Sequence, residues 1–191
     1  MIDAAEQIAA EQGLSAMSLR AVQAAAGQRN KSAAQYHFGS RDGLIERIVS
    51  HRMGPINERR FELLEALPVA PALHELVEVL VRPTAEAVLV HGQSHWARFV
   101  LAGIADPTVA DVVRRNLEGH AFRAISRQLL DALDGLDAPL RQRRLDQAVG
   151  LLFLTLARAE RGGVDDTEEV IADLVNVCTA LLGTPPPSTF G

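Results

Sequence analysis

Apolar side chains recur every three or four residues along almost the whole chain, and this spacing is compatible with little other than a bundle of helices. The β-branched residues stand in mixed runs with Ala, Leu, Glu and Arg, and no hairpin signal separates two alternating segments. Of the 191 residues, 48% are apolar, which is enough for a sizeable core and excludes a disordered chain. The sequence therefore predicts an all-α fold.

Glycine and serine residues mark the boundaries of the first helices. Gly13 is predicted to end the first helix, in keeping with the preference for glycine just past a helix. Ser18 is a predicted N-cap for a second, short helix that Gly27 closes. A third helix is predicted over residues 31–38, and Ser40 is predicted to cap the fourth.

The rest of the chain is predicted to be helical up to about residue 183. Gly54-Pro55 is predicted to kink or interrupt the fourth helix, because proline lacks a backbone donor and clashes with the preceding turn. A single helix is predicted over residues 106–133. The helices around residues 145–158 and 168–182 carry more apolar surface than one small domain can cover, so they predict a homodimer interface.

Charge is distributed unevenly in this acidic chain. The net charge is -5, yet the stretch from Ser18 to Arg41 holds four basic side chains and no acidic one. Two short helices joined by a glycine-containing turn, with this local charge, are typical of a DNA-binding helix-turn-helix, whose second helix enters the major groove. The alternative is a solvated basic face on a structural helix.

Several spaced motifs mark this region: Ile2-Asp3-Ala4-Ala5, Gly13-Leu14, Ser18-Leu19-Arg20, Ala25-Ala26-Gly27 and Tyr36-His37-Phe38-Gly39-Ser40-Arg41-Asp42-Gly43-Leu44. Together they resemble the N-terminal domain of the tetracycline-repressor (TetR) family of bacterial transcriptional regulators. The resemblance implies a three-helix helix-turn-helix domain over residues 1–50 and a larger helical ligand-binding and dimerisation domain over 51–183. It also implies a ligand-responsive repressor. Such a protein binds a palindromic double-stranded operator as a homodimer and leaves the operator when a small-molecule effector binds. Residues 184–191 are predicted to form a disordered tail.

The resemblance also implies which residues contact DNA. They are Ser18, Arg20, Gln28, Arg29, Asn30, Lys31, Ser32, Gln35, Tyr36, His37 and Arg41. Ser18 is expected to meet a phosphate, and Arg20 a base edge or a phosphate, from the start of the second helix. The candidates between residues 28 and 35 are expected in the groove, and Tyr36, His37 and Arg41 on the DNA backbone. The alternatives are half-buried packing for Tyr36 and a helix C-cap for His37.

Four side chains of the larger domain are candidates for an effector pocket. Trp96, Phe99, His120 and Phe153 combine aromatic rings with one polar group, the usual lining of a site for a largely apolar small molecule. Core packing is the alternative for each of them.

Other chemistry finds little support in the sequence. His91 and His95 have the spacing of a helical metal pair, but a predicted turn separates them and no nearby ligand completes a site. No nucleophile elbow, P-loop or dinucleotide fingerprint occurs, so we expect neither an enzyme nor a cofactor. The single Cys178 and the lack of a signal peptide or membrane span predict a cytoplasmic protein.

Two other functions compete with a regulator. The first is a helical small-molecule binding or scaffold protein with a vestigial helix-turn-helix, and the second, weaker one is an α-helical enzyme. A vestigial DNA surface is expected to acquire acidic residues at outward positions. Because residues 18–41 contain none, the charge pattern favours the regulator.

Overall fold

The computed structural model describes residues 1–28, 33–89 and 94–186, without the side chains of 33–35. Within these ranges the chain forms ten α-helices, one short 3₁₀ helix at Leu14–Ala16 and no strand, which confirms the all-α prediction. The α-helices are α1 Ile2–Gln12, α2 Leu19–Ala25, α3 Ala33–Phe38, α4 Arg41–Glu65, α5 Leu73–Leu89, α6 Trp96–Ala105, α7 Ala110–Leu117, α8 His120–Ala132, α9 Ala138–Gly162 and α10 Thr167–Gly183.

The side chain of the N-cap residue itself begins four of these helices, α2, α4, α9 and α10. The Oγ atom of Ser18 accepts a hydrogen bond from the Ala21 amide at the start of α2, as predicted. Asp137 and Asp166 cap α9 and α10 in the same way. Each cap satisfies a backbone donor that has no partner within its helix, so the short polar side chain fixes where the helix starts.

The fourth helix is continuous. α4 includes Pro55, so an interruption at Gly54-Pro55 is wrong, while a kink without a break stays a prediction. Proline removes one backbone donor, but Met53 and Ile56 on either side of it are buried, and this packing holds the helix together. α4 also runs past residue 50, the predicted boundary between the two domains.

The segment predicted as one helix over 106–133 forms two helices, α7 and α8, and that prediction is wrong. Gly119 lies between them with extended backbone and immediately precedes α8. A Cβ atom at Gly119 would come within 2.8 Å of Asn57 Nδ2, so the break lets this loop approach α4 closely. The break between α7 and α8 is thus linked to a contact between residues that are distant in the sequence.

The later helices pack into a bundle around α5. α5 contacts α4, α8, α9 and α10, while α6 packs between α1 and α9. Cys178 is buried in α10, and burial raises the pKa of its thiol to about 11. The thiol is therefore protonated at neutral pH, and the side chain serves as a packing residue. None of the described helices is long and apolar enough to cross a membrane.

A carboxylate from α9 caps α6. The Glu160 side chain is almost fully buried, and its two oxygens accept hydrogen bonds from the Ala97 and Arg98 amides at 2.9 and 3.0 Å. These amides would otherwise be unpaired at the start of α6, where the helix dipole favours a negative charge. Glu160 therefore fixes the start of α6 against α9.

A guanidinium from α9 holds the segment that follows α10. Arg144 is buried and donates to the carbonyl oxygens of Leu182, Thr184 and Pro185. Residues 184–186 of the predicted tail are exposed, and 187–191 lie outside the described residues.

An ion pair joins α1 to α4. Arg52 donates to both carboxylate oxygens of Glu6 at 2.8 Å, and its Nη2 atom is 2.9 Å from Asp3 Oδ1. Glu6 is only 1% exposed, and burial raises the pKa of its carboxyl group, although the Arg52 hydrogen bond and charge act in the opposite direction. Removal of Arg52 would leave this carboxylate buried without its cation.

We therefore expect Arg52→Met to lower the free energy of unfolding by about 3 kcal/mol near neutral pH. The loss should be smaller at about pH 5 than at about pH 8. A carboxyl group whose pKa is raised in the folded state stabilises the fold while it is protonated, and this contribution is lost as the pH rises through the folded-state pKa. Urea unfolding followed by circular dichroism measures both values. Adding Glu6→Gln to Arg52→Met should remove the difference between the two pH values, and equal losses for Arg52→Met alone would contradict this account.

Candidate nucleic-acid interface and effector cavity

Helices α2 and α3 contact each other, and α1 and α4 support them from behind. Val22 is fully buried on the inner side of α2, while Ser18 and Arg20 are exposed on its outer side. Arg20 forms no ion pair with any residue in the described ranges. The arrangement is a helix-turn-helix with its polar side in solvent.

Two glycines and a serine set the corner between α3 and α4. Gly39 has a φ of +68°, a backbone conformation that side chains other than glycine rarely adopt, and it ends α3 after Phe38. The Ser40 Oγ atom then accepts from the Gly43 amide at 3.0 Å and begins α4, as predicted. A Cβ atom at Gly43 would lie against the Phe38 carbonyl oxygen, so glycine is needed where the two helices meet.

The side chains predicted to contact DNA fall into three groups. Ser18, Arg20, Gln28, Tyr36 and His37 are exposed. Tyr36 is 86% exposed, so its predicted alternative, half-buried packing, is wrong. Arg29, Asn30, Lys31 and Ser32 lie outside the described residues, as does the side chain of Gln35.

Arg41 differs from the other predicted contacts because it is bound within the protein. Its Nη2 atom donates to the Leu14 carbonyl at 2.8 Å and lies 3.8 Å from Asp106 Oδ2. Hydrogen bonds from Thr108 lower the pKa of the Asp106 carboxyl group, with a smaller effect from Arg41, so Asp106 is ionised at neutral pH. Arg41 therefore connects the start of α4 to the 3₁₀ helix and to the loop after α6.

A cavity of about 940 Å³ lies among α4, α5, α6, α7, α8 and α9. Its wall is largely apolar and includes Met53, Leu80, Leu101, Phe122, Leu145 and Phe153. Its size and lining are those of a small-molecule site. Three buried or partly buried polar side chains, Arg60, Thr84 and Ser126, also belong to the wall.

Only one of the four predicted effector residues lines this cavity. Phe153 does, whereas Trp96 and Phe99 are buried and stack on each other with ring centroids 5.8 Å apart. The exposed His120 stacks on Phe61, with centroids 5.6 Å apart. The structure thus brings Trp96 and Phe99 together as core and leaves His120 outside the cavity wall.

Sequence reasoning missed Arg60. Met53, Ile56 and Arg60 follow one another at helical spacing, so the basic side chain occupies a position on the buried stripe of α4. A charged residue at an apolar position of a helical pattern was the available signal. Of the predicted alternative metal pair, His91 lies outside the described residues and His95 has its Nε2 atom 3.6 Å from Glu11 Oε1.

Comparison with known proteins agrees with the geometry of the first four helices. Residues 1–48 match the model of a family described as bacterial regulatory proteins, tetR family. The comparison with curated proteins finds no match. The matched residues contain the whole helix-turn-helix and the corner that orients it. Residues 1–48 therefore form a DNA-binding domain similar to that of the tetR family of bacterial regulatory proteins, and this domain supports a DNA-binding transcriptional regulator.

Proposed function

We propose that the protein is a ligand-responsive repressor that binds a palindromic operator as a homodimer. The observation that supports this most directly is the outer surface of α2 and the end of α3, where Arg20, Tyr36 and His37 are exposed. The sequence from Ser18 to Arg41 places no carboxylate on this surface to repel phosphate. Ser18, Arg20, Tyr36 and His37 would hold the DNA backbone, and Gln28, Arg29, Asn30, Lys31, Ser32 and Gln35 would face the bases.

The proposed functions are assigned to two parts of the chain. Residues 1–50 would bind DNA, and residues 51–183 would bind the effector and form the dimer, in a cytoplasmic protein. Helix α4 would belong to both parts, because it starts at the helix-turn-helix and reaches the cavity with Met53 and Arg60.

The proposed dimer interface is the outer side of α9 and α10. Leu154 and Val177 are each 44% exposed, and the half-buried Leu151 and Leu181 lie at helical spacing from them. Exposed apolar stripes on two adjacent helices favour pairing with the same stripes of a second copy across a two-fold axis. Two copies would then form a four-helix interface.

The proposed response to the effector runs through α4. Because α4 is continuous, a ligand that moves its wall of the cavity would tilt the whole helix and the α3–α4 corner with it. Recognition helices of a dimer must lie about 34 Å apart, or a multiple of this, to enter successive major grooves. Reciprocal linkage requires operator DNA to weaken effector binding by the same factor.

DNA binding is tested by comparing two exposed arginines on the operator selected from genomic fragments. Arg20→Ala should weaken binding several-fold and reduce the slope of log affinity against log salt by about two for the dimer, because one phosphate contact is lost at each half-site. Fluorescence anisotropy at several salt concentrations measures both. Arg143→Ala, on the exposed side of α9, is the matched control and should leave affinity and slope unchanged; equal behaviour of the two variants would exclude this surface.

Arg41→Ala should behave differently from Arg20→Ala. Arg41 donates to the Leu14 carbonyl, so its removal should lower the free energy of unfolding by about 1 kcal/mol as well as the operator affinity. Urea unfolding and anisotropy of the same preparations provide the comparison. A loss of affinity without any loss of stability would indicate that Arg41 acts on DNA alone.

The dimer is tested with charge on its proposed interface. Leu154→Glu and Val177→Glu should yield monomers, because each places a carboxylate in an apolar contact without a partner. Analytical ultracentrifugation gives the mass, and circular dichroism checks that the fold persists. Val69→Glu is the matched control, since Val69 is exposed in the link between α4 and α5; if all three variants keep the dimer mass, the interface lies elsewhere.

A further inference from the structure

One charged side chain in the cavity wall is buried. Arg60 is 2% exposed, whereas the other charged lining residues are exposed at the mouth and carry both signs, among them Arg114, Arg127 and Asp146. Burial lowers the pKa of the Arg60 guanidinium to about 10, which leaves it protonated at neutral pH. The interior of the cavity therefore has a positive charge in an apolar wall.

Neutral groups alone surround this charge in the described part of the chain. Arg60 donates to Asn57 Oδ1 at 3.0 Å, to Thr84 Oγ1 at 3.1 Å and to the Leu80 carbonyl at 3.4 Å, and it lies over the Phe122 ring. It forms no ion pair with any described carboxylate. A buried cation without a counter-ion is costly, and proteins usually pair such a group.

Two donors in the same wall lack hydrogen-bond partners. The Nε atom of Arg60 and the Oγ atom of Ser126 are buried, and neither has a partner in the described residues. An acceptor that carries a negative charge would give these donors a hydrogen-bond partner and would neutralise the charge of Arg60. The apolar remainder of the wall would suit a hydrocarbon or aromatic body.

We propose that this cavity takes an amphipathic organic acid, with its carboxylate on Arg60 and Ser126 and its apolar body against the walls formed by α8 and α9. This inference rests on the proposed function, because it assigns a chemical class to the effector. It revises the expected effector from a largely apolar molecule to an apolar molecule with one negative charge.

The test compares two probes of the same shape on the full chain, decanoate and decanol, by isothermal titration calorimetry without DNA. Decanoate should bind the wild-type protein roughly tenfold to a hundredfold more tightly than decanol, the usual range for a charge-assisted hydrogen bond. In Arg60→Met the two probes should bind within about twofold of each other, since only the apolar contacts remain. Equal binding of the probes to the wild-type protein, or no binding of either, overturns the proposal without any variant.

Arg127→Met is the matched control, because Arg127 also lines the cavity but is exposed at its mouth. It should keep the preference for decanoate. If Arg127→Met loses the preference and Arg60→Met keeps it, the carboxylate binds at the mouth and the assignment to Arg60 is wrong. If Arg60→Met does not fold, Ser126→Ala takes its place and should reduce decanoate binding about threefold or more while leaving decanol binding unchanged.

Operator titration separates this inference from the proposed function. A decanoate preference that depends on Arg60, together with unchanged operator affinity, would support the anion site and contradict the ligand response. Loss of operator affinity on adding decanoate, but not on adding decanol, would support both.

Discussion

An ion pair between the buried Glu6 and the half-buried Arg52 joins α1 to α4, the two helices that support the helix-turn-helix. The α1 helix supports α2 through packing and is joined to α4 by this pair, while Arg41 of α4 donates to the Leu14 carbonyl of the 3₁₀ helix that follows α1. Burial raises the pKa of Glu6 while Arg52 acts in the opposite direction, so loss of Arg52 would disfavour the carboxylate further. The support of α2 and α3 therefore includes a contact between α1 and α4 that depends on charge.

Helix α4 connects this surface to the cavity in a single element. Its first turn forms the corner with Gly39 and Gly43, and Arg60, five turns later by the geometry of an α-helix, lies in the cavity wall. The helix is continuous through Pro55, whose neighbours Met53 and Ile56 are buried. In the proposed response, a small motion at the cavity would displace the helix-turn-helix through α4.

Local signals in the sequence predicted the elements that local interactions determine. Ser18 and Ser40 cap helices because a hydroxyl group reaches an amide three residues away, and Gly39 ends α3 because of its own backbone conformation. The break at Gly119, the cap that Glu160 supplies to α6 and the burial of Arg60 depend on residues far away in the sequence. No pattern within one helix contains that information, which is also why Trp96 and Phe99 could not be distinguished from cavity residues.

The contacts of Arg144 and α10 also determine the order in which the protein can be completed during synthesis. Helix α10 leaves the ribosome after α5 and α9, the two helices that it covers. Arg144 can form its hydrogen bonds only once the carbonyl groups of Leu182, Thr184 and Pro185 have been synthesised. The first four helices contact one another within residues 1–65, but α1 also packs on α6, and α4 packs on α5, α7 and α8. A nascent chain that lacks α10 therefore still exposes the apolar sides of α5 and α9 that α10 covers in the complete fold.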